Sequence, residues 1–329
     1  MRDAEIKDNN NIIEAHHITK TFPGVKALSD VSFDLRQGEI HCIVGENGAG
    51  KSTFIKILTG SLRPDSGELI VHGKSYKYLT PYLSQTLGIQ VIYQENIIVP
   101  QMTVAENVFV GREKTSRFGL IRYQETIQAT QKIINSLKIH LDPQAPVEKL
   151  SPAEQQFVKI VKSLAYEPRV LIMDEPTAMF NINDVKVVLN LVKDISQRGI
   201  SVIYISHRLE EISEIADRIT VFKDGQVVIT HENPDKNFDL NLLTREMVGR
   251  SIETFYKKDK NTFGEVVLEV KNLKLHRHSP SIHFHLRKGE ILGIAGLVGS
   301  GRTELVRALF GMDRKVSGEV LLRGKPVNI

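Results

Sequence analysis

Residues 45–52 run Gly45, Glu46, Asn47, Gly48, Ala49, Gly50, Lys51, Ser52, a G-x-x-x-x-G-K-S spacing with Thr53 behind it. Glycines at these intervals let successive backbone N–H groups curl around phosphate oxygens. A lysine followed by a hydroxyl then supplies a cation for the β and γ phosphates and an oxygen ligand for Mg²⁺. A glycine-rich turn that binds nothing has no need of the Lys51 and Ser52 pair. The apolar run EIHCIVG precedes the loop and a helical stretch over 51–58 follows it. The loop is therefore expected between a buried strand and the positive end of a helix, where anions are favoured.

Four further places carry chemical side chains. The run RVLIMDE ends in Asp174 and Glu175. On a parallel sheet such a strand delivers Asp174 to a Mg²⁺ coordination sphere and Glu175 to an attacking water as general base. His207 closes the run ISVIYISH and is placed to touch a γ phosphate, although a lone histidine at a strand end is more often structural. Gln94, in VIYQE, reaches the same metal or water on this reading. Phe22, in TKTFPGVKAL, offers a ring for adenine, against the alternative of a core aromatic. At the head of a helix over 153–165, Ser151 as N-cap, Pro152 at the first position and Glu154 at the third form a capping box, for which a structural role alone suffices.

The elements that must hold these residues are legible in the hydrophobic pattern. Val31, Phe33 and Leu35 alternate with polar neighbours, as in a strand with one wet face. EIHCIVG, RVLIMDE and ISVIYISH are nearly continuous apolar runs, as in parallel strands buried on both faces. Helical stretches over 51–58, 123–137, 153–165, 184–197 and 209–216 separate them, so an α/β sheet with ligands at the carboxyl ends of its strands is expected. FKDGQVV adds a hairpin with an Asp-Gly turn, and the region at about 100–165 reads as a mainly helical insert.

Composition narrows the class. With 41% hydrophobic and 25% charged residues, the 329-residue chain is not mainly disordered, collagenous or coiled-coil. Its net charge of +4 is too small and dispersed to indicate nucleic acid. A single cysteine, Cys42, excludes a disulfide framework and suits a reducing compartment. No apolar run approaches the ~18 residues that span a bilayer, and MRDAEIKDNNN is not a signal peptide. Service to a membrane is expected from the cytoplasmic side, through a partner.

The chain also repeats itself. At an offset of 251, residues 38–74 match 289–325 without a gap and with 15 of 37 positions identical, seven of them glycines in register. The expected plan is a first copy over 1–249, a polar, Lys-rich linker over 250–264, and over 265–329 the opening quarter of a second copy.

The ordered set Phe22, residues 45–52, Gln94, LSPAEQQ, LIMDEPTA and ISH resembles the nucleotide-binding domain of ABC transporters across the whole first copy. GENGAGKST, the doubled plan and GLVGSGRTEL resemble, more narrowly, the ATP-binding subunits of bacterial carbohydrate importers of the ribose, galactose and xylose type. The resemblance implies an α/β P-loop NTPase of ABC type, with a parallel sheet core, an antiparallel β subdomain and a helical insert, plus an incomplete second copy. It implies ATP and Mg²⁺, with Phe22 at adenine and residues 45–53 at the phosphates. Gln94 would sense Mg²⁺ and the membrane partner, and Ser151 would belong to the signature. Ser52, Gln94 and Asp174 would face the metal, Glu175 would be the base, and His207 the γ-phosphate switch. The implied partners are integral membrane permease subunits, a periplasmic solute-binding protein that feeds them, and a second ATP-binding domain or second copy of the chain. No nucleic acid is implied, and the place of action is the cytoplasmic face of the inner membrane. Two alternatives are a nucleotide-binding remnant without transport and a soluble ABC protein of translation or DNA maintenance. The latter would favour a basic arm or long coiled coil, and neither is present in the sequence.

Some positions depart from the resemblance. Pro152 removes an N–H donor, and Glu154 brings a carboxylate to the signature helix where a phosphate would sit. Met179, Phe180 and Asn181 occupy the loop after DEPTA. In the second copy Arg302 replaces the lysine of the loop, as in the family's second domain, and no aromatic matches Phe22. In an intact two-domain subunit Pro152, Glu154 and Arg302 fall in one weakened site. The other site would need a second signature that the sequence does not reach. Slow hydrolysis by the isolated chain and a loosely held second copy are therefore expected.

Overall fold

A computed structural model describes residues 10–93, 98–178, 180, 182–248, 263–277, 279–296, 299–314 and 316–327. The chain divides into two compact units, 1–252 and 253–329.

The first unit opens with an antiparallel pair, β1 (Asn11–Phe22) and β2 (Val25–Arg36), and then β3 (Ile40–Val44). Helix α1 (Lys51–Leu58) is followed by β4 (Ser66–Val71), β5 (Lys74–Tyr76), α2 (Pro81–Thr86) and β6 (Ile89–Ile92). Three helices come next: α3 (Val104–Phe109), α4 (Tyr123–Leu137) and α5 (Pro152–Leu164). The unit continues through β7 (Val170–Asp174), α6 (Ile182–Gln197), β8 (Ser201–Ile205) and α7 (Leu209–Ile215). It closes with the hairpin β9 (Arg218–Lys223) and β10 (Gln226–Glu232), and α8 (Leu240–Val248).

Two sheets result. One is antiparallel in the order β2-β1-β4-β5, and the other runs β10-β9-β3-β8-β7-β6, parallel except for β10 at its edge. The parallel strands alternate in which side chains they send to each face, and both faces are covered. Ile43, Ile172, Ile203 and Ile205 pack with α1 and the antiparallel sheet. Cys42, Leu171, Met173, Val202 and Tyr204 pack with the helices of the other layer. This double burial is why β3, β7 and β8 read as unbroken apolar runs. Val31, Phe33 and Leu35 of β2 are buried, as their alternation predicts.

A buried charge cluster joins the two sheets. Arg218 of β9 donates in bidentate fashion to Asp34 of β2, at 2.6 and 2.9 Å, and to Glu39 at 3.3 Å. Burial acts to raise the Asp34 carboxyl, but the hydrogen bond and charge of Arg218 hold it below its ordinary value.

The second unit contains β11 (Val266–Lys274), β12 (Ile282–Arg287), α9 (Arg302–Leu309), β13 (Ser317–Leu322) and β14 (Lys325–Pro326). Its sheet order, β12-β11-β13-β14, repeats the β2-β1-β4-β5 arrangement of the first unit. Helix α9 lies 251 residues after α1, and β13 lies 251 after β4. Both helices start behind a glycine in the left-handed region, Gly50 at φ 101° and Gly301 at φ 86°. One element differs. Residues 291–296, the counterpart of β3, form no strand, and Ile291 is 97% exposed. A parallel strand exists only with neighbours to bond, and among the described residues this segment has none. The second unit's buried core, among the described residues, comprises only Val270, Leu273, Leu305, Ala308 and Val320. We therefore expect limited proteolysis, followed by mass spectrometry, to cut within 263–327 at protease doses that leave the first unit whole. A fragment covering the second unit that survives as long as the first would contradict this.

Candidate functional site

Parallel pairing brings the chemical residues together. Ile43 of β3 and Asp174 of β7 both align with Ile205 of β8, so the three strands end in one row. Beyond that row lie the glycine loop, Glu175 and His207.

The loop is shaped by close backbone approach. Gly45 has φ 154°, and a Cβ there would lie 2.3 Å from the Phe222 carbonyl oxygen. Gly50, in the left-handed region, would place a Cβ 2.6 Å from the Ala27 carbonyl oxygen. Any side chain at either position would push the loop off β9 or β2. Ala49 donates its N–H to the Glu46 carbonyl oxygen and accepts from the Gly225 N–H, which closes the turn. The first N–H groups of α1 follow at once, and a helix leaves these without internal acceptors.

Lys51 bends back over the loop, its Nζ donating to the carbonyl oxygens of Gly45 at 2.7 Å and Glu46 at 3.0 Å. Burial lowers its ammonium below the ordinary value, while the charges of Glu175 and Asp174 act in the opposite direction. The lysine and both acids thus share one electrostatic site. Burial pushes the Asp174 carboxyl up, and the neighbouring Glu175 adds to this against the pull of Lys51 and Lys56. Ser52 and Thr53 stand in the first turn of α1, with Ser52 exposed and Thr53 half-buried. Glu46, Asn47 and Gly48 are exposed along the loop and Ala49 is buried.

Glu175 sits in a left-handed conformation, φ 49°, which costs a residue with a Cβ about 1 kcal/mol. Its N–H donates to the Ile205 carbonyl oxygen at 2.9 Å, and its own carbonyl oxygen accepts from the Ala178 N–H at 3.2 Å. The sharp turn aims its carboxylate across the strand ends to His207, whose Nδ1 lies 3.2 Å from Oε1. The sequence pattern puts His207 at the close of a strand, but β8 stops at Ile205. The histidine stands two residues further on, with its side chain 63% exposed. It is a solvent-facing group at the mouth of the site.

Phe22 ends β1 with 38% of its surface exposed and Lys20 Nζ 5.7 Å from its ring centroid, so it is not a core aromatic. Gln94 lies outside the described residues, as do Met179 and Asn181. Phe180 is buried against Phe157. Ser151 caps α5 as its spacing predicts. Its Oγ accepts from the Glu154 N–H, while Glu154 Oε2 accepts from the Ser151 N–H at 2.8 Å and from its hydroxyl at 2.7 Å. The Glu154 carboxylate thus occupies donors that an external anion would use. Sequence patterning missed Glu211, an acid in LEEISEI that is buried behind this row.

The donor set suits a hard divalent cation: a hydroxyl at Ser52 and a carboxylate at Asp174 are oxygen ligands of the kind Mg²⁺ takes, beside a cradle that only glycine fits. Among the described residues no group of three or more His, Cys, Asp or Glu could hold a metal by protein ligands alone.

The family profile described as ABC transporter matches residues 28–178 and 280–329. The ribose import ATP-binding protein RbsA 1 of Rubrobacter xylanophilus is 45% identical over 316 residues, 96% of this chain and 62% of that protein. A putative ribose/galactose/methyl galactoside import ATP-binding protein of Hahella chejuensis is 40% identical over 330 residues, 99% of this chain and 64% of that protein. The chain thus spans less than two thirds of the length of these relatives. Among solved structures, the ADP conformation of an ATP-binding cassette of an ABC transporter superposes with a TM-score of 0.64 at 26% identity, covering 73% of this chain and 97% of that one. A nucleotide-free ATP-binding cassette from an ABC transporter gives the same TM-score, 0.64, at 25% identity, covering 75% and 100%.

The raised Asp174 carboxyl predicts a pH effect. Between pH 3.8, its ordinary value, and its raised value, the folded chain holds a proton that the unfolded chain releases, so stability falls as pH rises through that window. Above that window the ionised Asp174 is a cost to the fold. Asp174→Asn is expected to raise the Tm of the nucleotide-free chain at about pH 7, with the gain shrinking toward about pH 4. A lower Tm at neutral pH would count against this electrostatic account.

Proposed function

The chain belongs to the ABC transporter family, and from that premise we propose that it is the ATP-binding subunit of an importer, coupling ATP binding and hydrolysis to uptake of a sugar or sugar-like solute through a membrane permease. The convergence of Lys51, Asp174, Glu175 and His207 on one row of strand ends supports the reading most directly. Loop N–H groups from residues 45–53 and the N-terminus of α1 receive the phosphates, and Lys51 exchanges its loop carbonyl acceptors for phosphate oxygens. Ser52 and Asp174, with Gln94, would hold Mg²⁺, which when bound draws charge from the phosphates. Glu175 accepts a proton from the attacking water, and His207 contacts the γ phosphate while its Nδ1 stays against Glu175. Phe22 lends its exposed ring to adenine.

In this reading residues 1–249 are an ABC nucleotide-binding domain, and residues 265–329 belong to a second, degenerate one. The partners are integral membrane permease subunits, served by a periplasmic solute-binding protein. A second ATP-binding domain, or another copy of this chain, completes the site, with Ser151 of the signature facing the nucleotide. The chain works at the cytoplasmic face of the inner membrane, as a peripheral subunit. No helix among the described residues is long and apolar enough to cross a membrane. Turnover by the chain alone is slow, because the Glu154 carboxylate already fills the Ser151 donors.

Lys51→Ala is expected to weaken binding of a fluorescent ATP analogue by roughly 100-fold, since it removes a charge-assisted contact to phosphate. Glu175→Gln should bind it as the parent does while slowing hydrolysis by about 10²-fold or more. Unchanged binding in the lysine variant, or full hydrolysis in the glutamine variant, would refute the assignment.

A further inference from the structure

Glu211 lies in the first turn of α7, yet it is only 4% exposed. One of its oxygens, Oε2, accepts hydrogen bonds from three hydroxyls: Thr177 Oγ1 at 2.8 Å, Tyr204 OH at 2.9 Å and Ser206 Oγ at 3.0 Å. The other oxygen, Oε1, lies 3.5 Å from the guanidinium of Arg208. A buried carboxylate is costly unless its lone pairs are filled, and here three hydroxyls and an arginine fill them.

The origin of those donors gives the cluster its meaning. Thr177 belongs to the loop two residues beyond Glu175. Ser206 immediately precedes His207, and its Oγ also accepts the Arg208 N–H at 3.0 Å. Tyr204 stands within β8, its ring on the sheet face away from α1. All three are buried. One carboxylate therefore fastens the loop that carries Glu175 to the turn that carries His207, using the sheet as the fixed point. The two functional side chains meet at 3.2 Å on the other side of this clamp. Glu175 needs such help, since its left-handed backbone relaxes toward common conformations if the following loop is free.

We infer that Glu211 is a positioning residue for ATP hydrolysis, holding Glu175 and His207 in mutual register without touching nucleotide. The inference rests on the ATPase reading above. The carboxylate is required because it offers lone pairs only. The isosteric amide introduced by Glu211→Gln either sets its NH₂ against the Arg208 guanidinium, donor to donor, or turns it toward the three hydroxyls, which then lose their shared acceptor.

The test compares Glu211→Gln with the parent chain by three measurements: affinity for a fluorescent ATP analogue, single-turnover hydrolysis of ATP with protein in excess, and hydrogen exchange of peptides covering 174–178 and 205–208. The expected result is affinity within about threefold, hydrolysis slowed by about tenfold or more, as for a misplaced reacting group, and faster exchange in both segments together but not in 45–53. Thr177→Val and Ser206→Ala, which each delete one donor, should move exchange the same way by less, and they carry the test if Glu211→Gln does not fold. A folded Glu211→Gln variant with parental hydrolysis and parental exchange overturns the inference. So does a variant that loses Tm while keeping the parental turnover rate below that Tm, since Glu211 would then only fasten α7. A parent that binds no ATP refutes the functional reading instead. The exchange arm then still decides whether the clamp exists.

Discussion

The register between β3, β8 and β7 is the constraint on which the rest depends. Parallel pairing aligns Ile43, Ile205 and Asp174. Double burial makes that alignment hard to change, because a one-residue slip would exchange the faces to which Ile203 and Tyr204 point. Groups more than a hundred residues apart in sequence are thereby delivered to one edge. The candidate chemical groups lie just past that edge, in backbone too irregular for a strand: the glycine loop, the left-handed turn at Glu175 and the exposed turn at His207.

Electrostatics at this edge work against the fold and in favour of the site. Two adjacent acids and a half-buried lysine crowd together, and lost solvation shows in the raised Asp174 and the lowered Lys51. Lys51 donates to carbonyl oxygens of its own loop. A polyphosphate with its cation would relieve both strains at once: new acceptors for Lys51, and a positive partner for Asp174.

Much of this was legible in the sequence. The helical stretches over 51–58 and 123–137 coincide with α1 and α4, whose buried residues recur at helical spacing: Phe54, Ile55, Ile57 and Leu58 in α1, and Thr126, Thr130, Ile134 and Leu137 in α4. The Ser151 box folded as its spacing implies, because capping is local. What escaped was set by tertiary packing. Glu211 sits in a short helix and reads as solvated, and only the approach of Tyr204, Thr177 and Ser206 makes it a buried hub. The same holds for Arg218, whose partner Asp34 lies on the other sheet. EILGIAG shows the converse. Its pattern matches β3, yet without neighbouring strands it leaves Ile291 in water. Hydrophobic pattern states what a segment is able to do, and partners decide whether it does.

The strand-end row of residues 45–53, 174–178 and 205–207 is the nucleotide site we propose. Hydrogen exchange of the full chain with and without Mg-ATP tests it most directly. Slowed exchange is expected, concentrated in peptides covering 45–53, with weaker protection at 174–178. Unchanged exchange in 45–53 at saturating Mg-ATP, with protection appearing elsewhere in the first unit, would contradict it.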